Sequence, residues 1–134
     1  MGNALEPSLE LREQVIALYG AMSSGDADSV ESFYSHEVGS VFIGTDAREF
    51  WTDSRQHNAD VRHFFDGSHG TSIWSAGEVL AFVDDVIGWS VDRPVVRFSD
   101  GSALQIRVTL IWRNENGRWR VVHSHASVGG DSES

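Results

Sequence analysis

The sequence predicts an α+β domain in which three helices cover one face of a curved antiparallel sheet. Helix-type spacing of apolar residues is confined to the first half of the chain, where one short strand-like segment interrupts it. From residue 71 onward, strand-like segments follow one another and are separated by turns that contain glycine or asparagine. Segregation of helices from consecutive strands is typical of α+β proteins, whose helices pack on the sheet.

The first two helices are predicted from apolar spacing and from their N-cap residues. Apolar side chains recur every three to four residues over residues 8–22, and Ser8 stands where a helix start is favoured. A shorter helix is predicted over residues 26–34 with Asp26 as its N-cap. Residues 38–44 are then predicted to form a strand that a glycine closes.

A third helix is predicted from residues 45–46 to about residue 65. Asp46 is followed three residues later by Glu49, which is the spacing of a capping box. Its predicted inward face carries Phe50, Trp51, Ser54, His57 or Asn58, Val61, Phe64 and Phe65.

Four strand segments are predicted in the second half, over residues 71–83, 86–98, 104–113 and 118–128. Asp100-Gly101 is a hairpin signal between the second and the third segment, and residues 114–117 join the third to the fourth. Residues 130–134 contain no apolar side chain. We therefore predict a disordered tail there, after a single domain over residues 1–129.

Composition excludes several classes of function. Ten Lys+Arg against twenty Asp+Glu give a formal charge of −10, which argues against nucleic acid and against an anionic membrane surface. The chain has no cysteine and no lysine, so thiolate metal sites and Schiff-base chemistry are excluded. The chain shows no membrane-length apolar run and no targeting segment at its start, so a cytoplasmic protein without a cofactor is expected.

The last predicted strand ends in a polar stripe. His123, His125 and Ser127 are spaced by two, and side chains alternate across a strand, so the three share one face. If the preceding turn has two residues, Ile106 and Val108 lie beside the two histidines.

A three-residue loop is favoured instead, because Asn116-Gly117 suits a type I turn followed by a left-handed bulge residue. This register separates two faces of opposite character. The polar face carries Arg107, Thr109, His123, His125 and Ser127. The apolar face carries Ile106, Val108, Leu110, Val122 and Ala126.

The apolar face is expected to be covered by a second copy of the chain, since exposed apolar patches of that size mark interfaces. We therefore predict a homodimer through the outer sheet face. The polar face then lines a cavity between the sheet and the helices, with Tyr19, Trp51 and Trp74 as its aromatic wall.

Three motifs resemble one protein family. They are GTD-x-x-E-F-W at residues 44–51, GWSVDRP at residues 88–94 and RVTLIWRNENGRWRVVHSHASVG at residues 107–129. Together with the order of elements, they are similar to the SnoaL-like branch of the nuclear-transport-factor-2-like superfamily over residues 9–129. The resemblance implies a cone-shaped, cystatin-like α+β fold, usually dimeric, with a deep pocket. Its members include ketosteroid isomerases, polyketide cyclases, limonene epoxide hydrolases, dehydratases and non-catalytic association domains, so it leaves the activity open.

Within the predicted cavity, His123 and His125 are the candidate catalytic residues, because an imidazole titrates near neutral pH and can act as a general acid or base. The alternative is a pair of wall histidines held by hydrogen bonds. Arg107 is either an anchor for an anionic ligand group or half of an ion pair with Asp92. A metal site that joins the two histidines to His57 or His63 is a further alternative, but it lacks an obvious carboxylate ligand.

The remaining predicted ligand-binding residues are aromatic or hydroxylated. Trp51 and Trp74 either stack on a ligand or belong to the core. Tyr19, Thr109 and Ser127 complete the set. The sequence thus predicts a pocket protein for a small apolar or amphipathic molecule with a polar or anionic end. It is either a cofactor-free acid/base enzyme of the isomerase, dehydratase or hydrolase type, or a non-catalytic binding or oligomerisation module.

Overall fold

The computed structural model describes residues 5–67 and 70–129, without the side chains of residues 66 and 67. The predicted disordered tail, residues 130–134, lies outside the described residues. The elements in chain order are β1 (Glu6–Pro7), α1 (Leu9–Ser24), α2 (Ala27–Ser32), β2 (Val41–Ile43), β3 (Phe50–Trp51), α3 (Ser54–Gly67), β4 (Ser72–Ser75), β5 (Leu80–Asp84), β6 (Ile87–Asp92), β7 (Pro94–Arg97), β8 (Ala103–Gln105), β9 (Arg107–Glu115) and β10 (Arg118–Ser127).

The predicted α+β class is confirmed. Seven strands form one sheet in the order β1-β5-β6-β9-β10-β2-β3, and three form a second in the order β4-β7-β8. β2 pairs with β10 in parallel, whereas the other described pairs are antiparallel, so the large sheet is mixed and not purely antiparallel as predicted. No helix among the described residues is long and apolar enough to cross a membrane, and the cytoplasmic location stays a prediction.

Two long predicted strands are divided because the chain passes from one sheet to the other. The segment over residues 86–98 breaks at Arg93, after which Pro94 begins β7 in the small sheet. The returning chain leaves that sheet at Ile106, whose N–H donates to the carbonyl of Pro94 at 3.0 Å. The large and small sheets are therefore joined at this crossing. The predicted Asp100-Gly101 turn is confirmed between β7 and β8.

The two N-terminal helices begin where local chemistry predicts. Ser8 Oγ accepts from the N–H of Leu11 at 3.1 Å, and Asp26 Oδ1 accepts from the N–H of Ser29 at 3.2 Å. Each side chain thus satisfies a backbone donor in the first helical turn that has no partner within the helix. α1 buries Leu11, Val15, Leu18 and Tyr19.

The predicted start of the third helix is wrong. Asp46 and Glu49 do bond locally, since the N–H of Asp46 donates to Glu49 Oε1 at 3.0 Å, but they close a turn and no helix follows directly. The next residues form β3, in which Trp51 pairs with Phe42 of β2. α3 begins only at Ser54.

Neither predicted register of the last hairpin is correct. Asn116 and Gly117, with φ of 58° and 88°, form a two-residue turn of the type I′ class between Glu115 and Arg118. A β-bulge at Val122 then shifts the register by one residue. As a result Thr109 pairs with His125, and Arg107 with Ser127.

Candidate functional site

A cavity of about 290 Å³ lies between the helices and the inner face of the sheets. Its walls are largely apolar. The apolar lining comprises Leu18, Met22, Ile43, Val61, Phe64, Phe65, Ile73, Val96, Phe98, Leu104, Ile106, Val108, Leu110 and Ala126. Thr45, Asp60, Phe64 and Leu104 are the exposed members of the lining and mark the mouth.

The sheet presents its apolar face to this cavity, which is the reverse of the predicted orientation. Ile106, Val108 and Leu110 are 8%, 8% and 2% exposed, and all three line the cavity. The physical reason is the helices, whose apolar side chains need an apolar surface to pack against. Ala126 lines the cavity as well, so the predicted dimer face is wrong for Ile106, Val108, Leu110 and Ala126, whereas Val122 lies at the bulge and outside the lining.

The polar stripe lies on the outer face of the sheet. His125 is exposed, and the Nδ1–H of His123 donates to the carbonyl of Val41 at 2.9 Å. The guanidinium of Arg107 donates through Nε to Ser127 Oγ at 3.2 Å.

Thr109 lies on this outer face as well, opposite His125. The predicted placement of the stripe on the cavity wall is wrong for His123, His125, Arg107, Thr109 and Ser127. A ligand in the cavity is separated from these side chains by the sheet itself, so their predicted roles toward it have no support in the geometry.

Two of the three predicted aromatic wall residues do line the cavity. Tyr19 and Trp51 belong to its lining, whereas Trp74 does not. Trp74 is 40% exposed and stacks under the guanidinium of Arg97, 5.6 Å from the ring centre. Its neighbour Ile73 faces inward instead, as strand alternation requires.

A buried hydrogen bond joins Tyr19 in the cavity wall to Asp92, which lies outside the lining. The hydroxyl of Tyr19 donates to Asp92 Oδ1 at 2.8 Å, and both residues are 4% exposed. Burial raises the pKa of Asp92 above its ordinary value, and the Tyr19 hydroxyl opposes that shift. Asp92 Oδ2 has no hydrogen-bond partner in the described part of the chain. The predicted ion pair of Asp92 with Arg107 does not form, because Arg107 lies on the other side of the sheet.

His57 of α3 is the only described histidine in the cavity wall. It is 4% exposed and surrounded by the rings of Tyr34, Phe42 and Trp51. Burial lowers the pKa of His57 from 6.5 to about 4, so its ring is neutral at pH 7. Its Nδ1 faces Asn58 Oδ1 at 3.1 Å.

The charged side chains of the described lining are both acidic. Asp60 at the mouth accepts from the indole N–H of Trp51 at 2.7 Å and from Gln56 Nε2 at 3.0 Å. Glu49, also in the lining, is half-buried against Gly44. Within residues 5–67 and 70–129, no three metal-ligating side chains are grouped to hold an ion.

Comparison with known families identifies this architecture. A family model described as a SnoaL-like domain matches residues 12–130. The chain belongs to the SnoaL-like domain family. No match was found among curated proteins.

Solved structures share the fold of this SnoaL-like domain at low sequence identity. A nuclear-transport-factor-2-like protein of unknown function from Pseudomonas putida KT2440 has a TM-score of 0.81 at 16% identity, over 92% of this chain and 87% of that one. A domain of unknown function with a cystatin-like fold from Nostoc punctiforme has a TM-score of 0.75 at 14% identity, over 92% and 78%. A putative calcium/calmodulin-dependent protein kinase II association domain from Xanthomonas campestris has a TM-score of 0.73 at 15% identity, over 98% and 99%. These similarities confirm the predicted fold, and the family model confirms the predicted SnoaL-like family.

Several residues of the SnoaL-like cavity were not predicted as site residues from the sequence. The sequence predicts His57 on the inward face of the third helix from its spacing to Val61 and Phe64, and offers it as a site residue only in the alternative metal site. Tyr34 is predicted to face inward from the second helix, but no sequence pattern assigns Tyr34 or Asp60 to a ligand site, because each reaches the cavity through the packing of separate elements.

Proposed function

We propose that this SnoaL-like domain binds one small, mainly apolar molecule in the cavity. The observation that carries the proposal is the cavity itself: about 290 Å³ of space with a largely apolar lining, into which a few polar side chains project. Pockets of this composition gain binding free energy from apolar burial and orient the ligand through few polar contacts. The SnoaL-like fold supports a small-molecule-binding domain.

The neutral fluorophore N-phenyl-1-naphthylamine tests this proposal, because its emission rises in an apolar site. We expect saturable binding of one molecule per chain. Ala126→Trp places an indole into the cavity and should abolish the fluorescence rise, whereas Ala76→Trp, at an exposed turn, should leave it unchanged. Binding that Ala126→Trp does not affect contradicts the proposal.

Acid/base catalysis is the second candidate function, and the Tyr19–Asp92 pair favours it. A carboxyl group whose pKa is raised by burial keeps its proton to a higher pH than an exposed one and can exchange that proton with a bonded hydroxyl. The test is exchange of the α-hydrogens of 2-decalone with deuterated water, followed by NMR. Faster exchange that Tyr19→Phe removes supports an enzyme, and exchange at the buffer rate supports the binding module.

We also propose that the domain is a homodimer through the outer face of the large sheet, with a different set of residues from those predicted. Leu80, Ile87 and Val91 are 48%, 38% and 38% exposed there, and β-pairing places Leu80 beside Val91. Isolated exposed apolar residues are ordinary, but a contiguous patch of them on a sheet face favours a protein interface.

A further inference from the structure

We infer that His57 is the hydrogen-bond acceptor of the cavity, and that the ligand is an uncharged apolar molecule whose hydroxyl or similar donor group binds its Nε2 atom. This inference rests on the proposed function, because it names the chemistry of the molecule that the cavity takes. It also replaces the expectation of an anionic ligand end.

The imidazole of His57 is held in one orientation by three aromatic rings. It stacks on Phe42 with ring centres 4.2 Å apart and an angle of 26°. Tyr34 and Trp51 pack edge-on against it, with centres at 4.6 Å and 5.1 Å. A ring so enclosed presents a fixed atom to a ligand without a cost in side-chain ordering.

The bond to Asn58 assigns the two ring nitrogens. An amide oxygen only accepts hydrogen bonds, so the contact of Asn58 Oδ1 with Nδ1 at 3.1 Å places the imidazole proton on Nδ1. Nε2 then carries a lone pair. Nε2 has no hydrogen-bond partner within the described part of the chain, although His57 is 4% exposed. An acceptor in a cavity wall that has no protein donor is available to a ligand donor.

Two of the protein donors in the cavity wall are already engaged. The indole N–H of Trp51 donates to Asp60 at 2.7 Å, and the hydroxyl of Tyr19 donates to Asp92 at 2.8 Å. A ligand donor therefore meets an unused acceptor at His57. A ligand acceptor finds those two groups committed elsewhere and is left with the hydroxyls of Tyr34, Thr45 and Ser124. One ligand hydroxyl can therefore donate to His57 and accept from the wall.

The charges of the cavity disfavour an anion. Glu49 and Asp60 contribute carboxylates, and the described lining includes no arginine. Arg107, the predicted anion anchor, is on the outer face of the sheet, bonded to Ser127. An anionic group in an apolar cavity without a cation loses hydration and gains no ion pair. A cation would lose its hydration in the apolar interior but would be attracted by the two carboxylates, each of which keeps free lone pairs, so it is less disfavoured than an anion.

A series of rigid probes with one apolar body separates these possibilities. We would titrate 1-adamantanol, 1-fluoroadamantane, 1-aminoadamantane and adamantane-1-carboxylate into the protein by calorimetry. Fluorine replaces the hydroxyl at similar size but cannot donate. Because a hydroxyl costs more to dehydrate, an apolar cavity without an acceptor prefers the fluoride.

In the wild-type protein the alcohol should bind most tightly, ahead of the fluoride and the amine, and the carboxylate should bind most weakly. His57→Phe keeps an aromatic ring and removes the acceptor, so the alcohol should lose roughly tenfold in affinity while the fluoride is unchanged. His63→Phe, an exposed position on the same helix, is the matched control and should retain the wild-type order.

The possible results of these titrations separate the role of His57 from the proposed function. Equal affinity of alcohol and fluoride, preference for either charged probe, or an unchanged preference in His57→Phe overturns the role of His57 and leaves the proposed function standing. Binding of none of the four probes overturns both. If His57→Phe does not fold, the ¹⁵N NMR signals of His57 in the wild-type protein decide instead. They should show an unprotonated Nε2 that shifts with 1-adamantanol and not with 1-fluoroadamantane, and the absence of that difference overturns the inference.

Discussion

At the scale of single residues, His57 links the cavity to the acid stability of the domain. Its pKa is 6.5 in an unfolded chain and about 4 in the fold, so the folded state binds fewer protons between these values. Its contribution to stability is present above pH 6.5 and is lost as the pH falls toward 4. We expect the free energy of unfolding of wild type to fall between pH 7 and pH 5 by about 2 kcal/mol more than that of His57→Phe.

Urea unfolding at both pH values measures this difference, with His63→Phe as the control for loss of a histidine on the same helix. A loss between pH 7 and pH 5 that is equal in wild type and His57→Phe would contradict the neutral, buried state of the ring.

For Asp92 we expect the opposite pH dependence of the free energy of unfolding. Its pKa in the fold is raised above the ordinary 3.8 by burial, so its contribution to stability is present below pH 3.8 and is lost as the pH rises through the folded-state pKa. Asp92→Asn keeps an oxygen for Tyr19 and cannot ionise. Asp92→Asn can differ from wild type in its free energy of unfolding already at pH 4. Relative to that difference, the variant should become more stable than wild type on going from pH 4 to pH 7.

The same denaturation series measures the effect, and Asp84→Asn, at an exposed strand end, is the comparison. A relative stability that stays constant between pH 4 and pH 7 contradicts an ionisation penalty at Asp92.

The position of a single residue can be predicted from the sequence when its contacts are with residues close to it along the chain. The spacing of His57 from Val61 marks the buried face of a helix within five residues of sequence, so the inward position was readable. The Tyr19–Asp92 bond joins residues 73 positions apart, and no local pattern carries such a pairing.

At the scale of elements, the contact of α1 with β6 depends on a glycine. A Cβ atom added to Gly88 would overlap Leu11 Cδ1 and lie 3.0 Å from the carbonyl oxygen of Phe82. Gly88→Ala should therefore destabilise the domain by about 1–3 kcal/mol, because the strand or the helix must shift.

Thermal or urea unfolding measures the loss, and Leu11→Val in the same chain should recover part of it by shortening the obstructing side chain. Gly20→Ala is the control, since nothing lies within 4 Å of its Cβ and it is helical, so it should stabilise by up to about 1 kcal/mol. Equal effects of the two alanines would contradict the close approach at Gly88.

Elements were predictable where their signals are local and unambiguous, as at the N-caps Ser8 and Asp26. The Asp46–Glu49 pair failed as a helix signal because the same side-chain bond also closes a turn. The bulge at Val122 has no signature in the sequence, yet it reverses which alternate positions of β10 face inward: Val121 does before it, and Ser124 does after it.

At the scale of the whole molecule, the cavity and the outer sheet face lie on opposite sides of one sheet. After the bulge, the sequence correctly separates the polar face from the apolar face. It predicts the polar face in the cavity and the apolar face outside, whereas the structure has the reverse. Strand alternation identifies which residues share a face, whereas the helices decide which face is covered. Dimer formation and ligand binding are consequently expected to be independent of each other.

This independence predicts the behaviour of a monomeric variant. Two copies that meet through the outer face bury the patch that includes Val91, and Val91→Lys places a charge at its centre. Two copies of a chain with a net charge of −10 repel each other. On the outer sheet face, however, Arg113 and Arg120 both pair with Glu115, so the local charge is low and opposes association less. Wild type should therefore run as a dimer at micromolar concentration by size-exclusion chromatography with light scattering, and Val91→Lys as a folded monomer.

Leu104→Lys is matched to this variant in exposure, since both side chains are 38% exposed, but it lies at the cavity mouth. It should leave the dimer intact and weaken the uptake of N-phenyl-1-naphthylamine, because the charge is introduced where the ligand enters. Val91→Lys should abolish the dimer and leave the uptake of N-phenyl-1-naphthylamine unchanged, since Val91 and the described cavity lining lie on opposite sides of the sheet. A wild-type monomer rules out the interface, and loss of binding on Val91→Lys shows that the second copy completes the site.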